Sequence, residues 1–575
     1  MKQQCDIPWQ VQGARRDVAD NCRLRDDRSL VALLVGLVLL AGVPSLFARD
    51  LWSGEETAFL EVSREMVLLR DPLVQRLNGE PSEPRPPLPF WLAGILWTAG
   101  AGHNSGRILS ILAVLGTLLA VYVAVAGRQA ALSAAAITLT SMVVFWHVRQ
   151  GLPVPLGIFL VTAALLSGHS ALHAEGRAAT ARWLCCYGML SMALLADGLL
   201  GPLVAGVILL LYGVANRKHV RLAGAAHLLG VCLLAALTLS WVALASRAGG
   251  GWHAVATALT RSLADLWRAL ARTNPLRTVA GTLFELLPWI IIMPVAVAGA
   301  VRQHRQGGEP GPFFAALWLL ALAVPLLLVG SAGIDFRLLA APPIGILCGW
   351  FFASPSVERL GLAKAGRRLT AAALAIAALF TGAVLTVGIM HLADVSYLLV
   401  GKHHVCPVTD QPYSVSRLAA ALPLVALPFG LLVVGLFRSS ANLVRRALLL
   451  SSAVLLLGLP MDLFLTPFLD SYKSPREFAL QVLGQTHGAA AVYQFPSDFG
   501  GKYNLYTGYV RMPVVRTRKE LQESLREPGA FVIADEKRLK RALEPGKWEH
   551  RVQAQGRVAG RSMVLLRGAG SGPAP

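Results

Sequence analysis

What most constrains this chain is the recurrence of apolar runs long enough to cross a bilayer, the first reading "LVALLVGLVLLAGVPSLF" from Leu30 to Phe47. About 18 to 20 apolar residues in helical form span the hydrocarbon core. Segments of this kind recur at about 30–47, 106–127, 129–147, 154–173, 181–196, 199–215, 222–246, 284–301, 312–330, 338–354, 368–391, 417–437 and 445–467. The expectation is therefore a polytopic α-helical membrane protein of about 13 spans. At 55% hydrophobic and 15% charged residues, the composition agrees.

Net charge is +20, which in a soluble protein would suggest nucleic acid. Here it has a simpler reading. With the amino terminus inside, the inward loops are "GRQ", "HAEGRAATAR", "NRKHVR", "VRQHRQGG", "VERLGLAKAGRR" and "FRSSANLVRR", all basic, with Glu175, Glu309 and Glu358 their only acids. Excess Lys and Arg on cytoplasmic loops is the positive-inside signature, so no nucleic-acid partner is expected. An odd number of spans places the carboxy terminus outside.

The domains then read as a cytoplasmic tail over 1–29, a membrane module over 30–467 and an outward α/β domain over 468–575. In the last, "AAAVYQF", "MPVVRT" and "AFVIADE" suggest strands, and "RKELQESL" a helix capped by Thr517 with Glu520 three residues on. "KRLKRAL" adds a helix and "HRVQAQGRVAGRSMVLLR" a closing hairpin. No Gly-rich phosphate loop is present, and an accessory role is expected. Of seven cysteines only Cys406 falls in an outward region, so no disulfide framework is expected there. His253, His403 and His404 lack a third ligand at metal-binding spacing.

The first outward loop, 48–105, carries the most information. Ser53 with Glu56 reads as a capping box, and Ala58, Val62, Met66 and Leu69 recur near helical spacing, predicting an amphipathic helix over about 54–70 along the membrane surface. Prolines 81, 84, 86, 87 and 89 then predict an extended segment. Non-helical backbone at membrane depth must pack on protein or line a cavity.

The residues of this loop resemble those of a family. "EE" at Glu55 and Glu56, "SREM" at Ser63 to Met66, "LVQRLNGEP" at Leu73 to Pro81 and "RPPLPFW" at Arg85 to Trp91 are similar to the first periplasmic loop of bacterial GT-C membrane glycosyltransferases of the aminoarabinose (lipid A) transferase and dolichyl-phosphate-mannose protein mannosyltransferase type. Further on, "PW" at Pro288 and Trp289 and "FRLLAAPP" resemble later family motifs more loosely.

The resemblance implies transfer of a sugar from a polyprenyl-phosphate carrier to a lipid, glycan or protein acceptor, on the periplasmic face of a bacterial inner membrane. Glu55 takes the place of the catalytic aspartate, with Glu56 beside it. Arg85 takes that of a phosphate-contacting lysine, and Arg149, Asp197 and Arg337 fall at other substrate-binding positions. The chemistry agrees: an anionic carrier needs cations, and a hydroxyl acceptor is helped by a carboxylate that takes its proton. No cofactor is expected. A divalent metal is not predicted either, since Val154 stands where the family often has an acid.

Two features depart from the pattern. Asp197 replaces an expected lysine, and the cationic and tyrosine positions before "LLP" are thinned to Arg337. Asp197 and Val154 favour an alternative, a non-catalytic lipid- or glycan-binding relative acting as an envelope scaffold. A transporter is the third reading, but no internal repeat supports it. Each residue also has a structural role open to it: Glu56 as a helix cap, Glu55 as a partner of the helix dipole, the arginines as interfacial anchors, and Asp197 in an ion pair.

Overall fold

The protein is described from a computed structural model over residues 28–568, apart from 53, 83–84, 219–223, 248–250, 273, 330, 333, 394–413, 439–441, 488–490 and 545–547. Cys406, His403 and His404, and nearly all of the amino-terminal tail, lie outside the described residues. Of the thirteen predicted segments, ten coincide with helices long and apolar enough to cross a membrane. The other three are shorter. Leu200–Ala215 has 16 residues, Met293–Arg305 has 13, and the 129–147 segment is divided at Ser141 into Arg128–Thr140 and Met142–His147.

One helix sits at the centre of the bundle. Phe336–Ala353 is buried along almost its whole length and packs on Arg128–Thr140, where a Cβ at Gly349 would strike the Ala130 carbonyl and the Ala134 backbone. Small residues on facing helices allow backbones to approach closely where no hydrophobic force drives association. Leu320, Leu379 and Phe380 face outward instead, as helices in lipid require.

The carboxy-terminal domain is a four-stranded mixed sheet. Ala491–Phe495 (β1) runs parallel to Ala530–Asp535 (β2), which pairs antiparallel with Arg561–Arg567 (β4), and β4 in turn with Val552–Val558 (β3). All six residues of β2 are buried. Phe531 and Ile533 enter one core with Phe478 and Tyr503; Val532 and Ala534 enter the other with Leu521 and Leu539. Helix Arg518–Ser524 begins with the predicted capping box of Thr517 and Glu520. "MPVVRT" is not a full strand: Val514 alone bridges Gln494, because Pro513 has no N–H to donate and the chain turns at once into the Thr517 cap.

The first-loop helix differs most from expectation. Glu55–Leu68 has no water-facing polar side, since ten of its 14 residues are buried within the protein. Phe59, Val62 and Met66 pack against Phe90, Ala93 and Leu109 of the bundle, while Leu60 meets Leu51 and Leu505. Its polar side is covered by the carboxy-terminal domain. Periodicity marks the apolar stripe correctly but cannot reveal that a domain over 400 residues away covers the opposite face.

The proline-rich stretch is not extended throughout either. Arg76–Leu77 and Glu80–Pro81 form a small hairpin, with Asn78 and Gly79 at positive φ (61° and 75°) as its turn. Pro87 and Pro89 then open helix Leu88–Leu96, where a missing N–H costs nothing.

Candidate active site

Helix Glu55–Leu68 starts after Gly54, whose φ of 116° suits glycine. Glu55 is exposed at its first position. Glu56 is buried and fully engaged. It accepts Arg49 Nη1 at 2.9 Å and Nη2 at 2.6 Å, the Trp52 amide at 3.1 Å and the Gly151 amide at 2.7 Å. A carboxylate with four donors has little capacity left for a substrate proton, so Glu56 serves to hold the loop. The N-cap is Gly54, and Ser53, on which the expected capping box depends, lies outside the described residues.

Further bonds fix the same turn. Arg107 donates to the carbonyls of Ser45, Arg49 and Asp50, at 3.2, 2.7 and 2.6 Å. Trp52 Nε1 donates to Asp470 at 2.7 Å, and the Trp52 ring has Arg49 at 4.0 Å and Lys473 at 4.1 Å from its centroid. The backbone leading to Glu55 is therefore held by three arginine- and tryptophan-centred anchors in a largely buried setting.

Arg149 follows the short helix Met142–His147 and is buried. Its guanidinium stacks on Phe145 at 3.8 Å, donates to the Phe145 carbonyl at 3.0 Å and lies 3.5 Å from Asp462, while its own carbonyl accepts from Arg49 at 2.9 Å. Burial pulls the Arg149 guanidinium below its ordinary value, and Asp462 offsets part of that. Gly458 is needed here because a Cβ would collide with the guanidinium.

Arg337 is only partly exposed. It donates to Glu285 at 2.6 Å and lies 3.6 Å from Asp335, which caps helix Phe336–Ala353 and faces His147 Nε2 at 3.7 Å. Asp197 ends helix Gly176–Asp197 and packs on Gly157, where a Cβ would lie 3.2 Å from its own. Asp265 and Asp335 are its acidic neighbours. Arg85 is exposed, with its backbone clamped by the Gln75 amide at 2.8 Å in both directions. Leu88, three residues later, packs beside Leu194 and Leu195, close to Asp197.

The structure thus joins Glu56 and Arg149 through Arg49, and the 145–151 turn passes on to His147, Asp335 and Arg337. Glu55 and Arg85 both remain exposed. Arg49, Arg107, Asp335, Glu285 and Asp462 escaped the reading of the sequence. Asp462 and Arg107 carried a usable signal, being charges inside apolar segments, where such residues are rare and paired. Among the described residues no group of three or more His, Cys, Asp or Glu side chains is placed to hold a metal ion.

A buried polar seam connects this loop to the carboxy-terminal domain. Arg64 holds Glu61 in a fork, both bonds 2.7 Å, and donates to the carbonyls of Asn504, Gly508 and Tyr509. Glu65 accepts the amides of Asn78 and Gly79, and Asn78 exchanges bonds with Met512 and accepts from Asn504 Nδ2. The Glu61 and Glu65 carboxyls hydrogen-bond each other, and among the described residues Arg64 pairs with Glu61 alone. Burial pushes Glu61 up to about 7 against the opposing pull of Arg64.

These features define a polytopic helical membrane protein with an α/β domain seated on its first loop. The fold is that of two crystal structures of ArnT from Cupriavidus metallidurans. One, bound to undecaprenyl phosphate, superposes with a TM-score of 0.72 at 18% identity, covering 95% of this chain and 99% of that one. The apo form gives 0.70, covering 96% and 100%. In sequence, the chain is 27% identical over 328 residues to an undecaprenyl phosphate-alpha-4-amino-4-deoxy-L-arabinose arabinosyl transferase of Edwardsiella ictaluri, covering 52% of this chain and 54% of that protein. It is also 27% identical over 383 residues to the protein of that name from Pectobacterium carotovorum, covering 61% and 65%. The chain spans little more than half the length of the curated relatives it matches. No family model matches it.

Proposed function

We propose that this protein is an integral-membrane glycosyltransferase that moves a sugar, of the aminopentose class, from an undecaprenyl-phosphate carrier to a lipid A-type acceptor on the periplasmic face of the inner membrane. The observation that carries this reading is Glu55. An exposed carboxylate stands on a turn that buried arginines immobilise, which is the preorganisation that proton transfer requires. The names of the curated relatives and the fold of the two transferase structures support the same reaction.

In the proposed step the acceptor oxygen attacks the anomeric carbon. The bond from that carbon to the carrier phosphate breaks, the acceptor's proton passes to Glu55, and polyprenyl phosphate leaves. Arg85, exposed on the same loop, faces the carrier phosphate. Arg149 and Arg337 serve the site indirectly, since Asp462 and Glu285 already engage them. Glu56 is a positioning residue and Asp197 lies at the sugar end. The basic loops support an amino terminus in the cytoplasm and a carboxy-terminal domain in the periplasm.

The test is sugar transfer in proteoliposomes with a panel of undecaprenyl-phosphate sugars, including aminoarabinose, and lipid A as acceptor. Transfer that Glu55→Gln abolishes supports the assignment. No transfer from any donor, with carrier binding retained, would instead leave a lipid-binding scaffold.

A further inference from the structure

The helix Pro275–Glu285, which leads into the apolar segment at about 284–301, carries a cation that the reaction above does not use. Arg277 is exposed, and its side chain makes no hydrogen bond or ion pair among the described residues. Its amide alone is engaged, by the Asn274 cap. The neighbouring arginines differ. Arg268 lies 2.7 Å from Asp265 and Arg337 lies 2.6 Å from Glu285, so each has a carboxylate of its own.

Residues three and four apart share one face of a helix. Arg277, Gly281 and Glu285 therefore form one row, and Arg337 reaches into it: its Nη1 lies 3.5 Å from the place a Gly281 Cβ would take and 2.6 Å from Glu285. The row beside it, Leu276, Ala280, Leu283 and Phe284, is apolar and exposed. Thr282, on the far side, is buried and donates to the Leu326 carbonyl at 3.0 Å, which fastens the helix to Pro310–Leu328, one of the helices long and apolar enough to cross a membrane. The helix thus turns a free guanidinium and an apolar strip outward, side by side, at the edge of the bundle.

We propose that Arg277 binds the phosphate of a net-anionic phospholipid of the surrounding bilayer, whose acyl chains lie along Leu276, Leu283 and Phe284. The guanidinium fork matches a phosphate, and the arginine stem rests on apolar surface while its head stays at the headgroups. A zwitterionic headgroup fits less well. Its ammonium needs a carboxylate nearby, and Glu285 is already taken by Arg337. Because Arg337 leads on to Asp335, and Asp335 to His147, a lipid held one helical turn away would steady this flank of the candidate site.

The test reads the helix directly and needs no sugar transfer, so its result is independent of the transfer assay. Full-length protein is placed in nanodiscs of phosphatidylcholine alone or of phosphatidylcholine with phosphatidylglycerol, and amide hydrogen exchange is followed over 276–285. Phosphatidylglycerol is expected to slow exchange there by about fivefold, the attraction of one basic residue to an anionic surface. Arg277→Gln is expected to remove the slowing and Arg277→Lys to keep part of it. Exchange over the central helix, 336–353, should stay that of wild type in both variants, which checks that they fold. A third nanodisc carries undecaprenyl phosphate in place of phosphatidylglycerol. Equal exchange with and without phosphatidylglycerol, or slowing that Arg277→Gln leaves unchanged, would overturn the proposal. So would slowing by undecaprenyl phosphate without slowing by phosphatidylglycerol, which would assign Arg277 to the carrier.

Discussion

The Arg49 guanidinium presents both terminal nitrogens to the Glu56 carboxylate, at 2.9 and 2.6 Å, with both side chains buried. This pair joins the end of the first apolar helix to the start of the loop helix that carries Glu55. Arg49→Met would leave a buried carboxylate uncompensated, with an expected cost of about 3–5 kcal/mol. The double variant Arg49→Met/Glu56→Met should lose less than the sum of the singles. Thermal unfolding in detergent, read as a double-mutant cycle, measures the difference.

Glu55→Gln should separate stability from turnover. The residue is exposed, so the melting temperature should barely change, whereas loss of the proposed general base should lower the rate of the proposed transfer by roughly 10²–10⁴-fold. Equal rates for variant and wild type would remove Glu55 from the chemistry.

The seam around Glu61 makes the docking of the carboxy-terminal domain sensitive to pH. Its carboxyl holds a proton more tightly when folded, about 7 against 4.5, because burial disfavours the charge. The stabilisation from that proton is complete below about 4.5 and is lost as pH rises through about 7. Hydrogen exchange over residues 499–512 should therefore quicken between about pH 5 and about pH 8 beyond the intrinsic pH effect, and Glu61→Gln should flatten the trend.

Gly458→Ala should force the Arg149 guanidinium aside, at a cost of about 1–3 kcal/mol for overpacking. Gly430 has nothing within 4 Å of its missing Cβ, so Gly430→Ala should be neutral or gain up to about 1 kcal/mol in helix propensity. Parallel denaturation curves of the two variants test the contrast.

The membrane class was legible in the sequence because apolar length is a local property. Ten of the predicted spans, the Thr517 capping box and the strands at Ala491 and Ala530 follow from signals within about twenty residues. Contacts across hundreds of residues were not legible. Glu56 looked like a cap because its true partners, Arg49 and Gly151, come together only through tertiary packing, and the loop helix looked amphipathic because its cover lies near residue 504. Arg149 and Arg337 read as cations awaiting a ligand, since Asp462 and Glu285 lie about 300 and 50 residues away along the chain.

The reach of the Arg64 and Asn78 contacts, 426 to 445 residues along the chain, has a consequence for biosynthesis. A ribosome finishes the first loop long before the segment that covers it exists. Until residues 504–512 emerge and fold, Glu61, Arg64 and Glu65 stay hydrated and their helix lacks its cover. The nascent protein therefore acquires its mature loop only after residue 512 is made, and a product truncated before residue 504 would carry its apolar helices with this loop left unfinished.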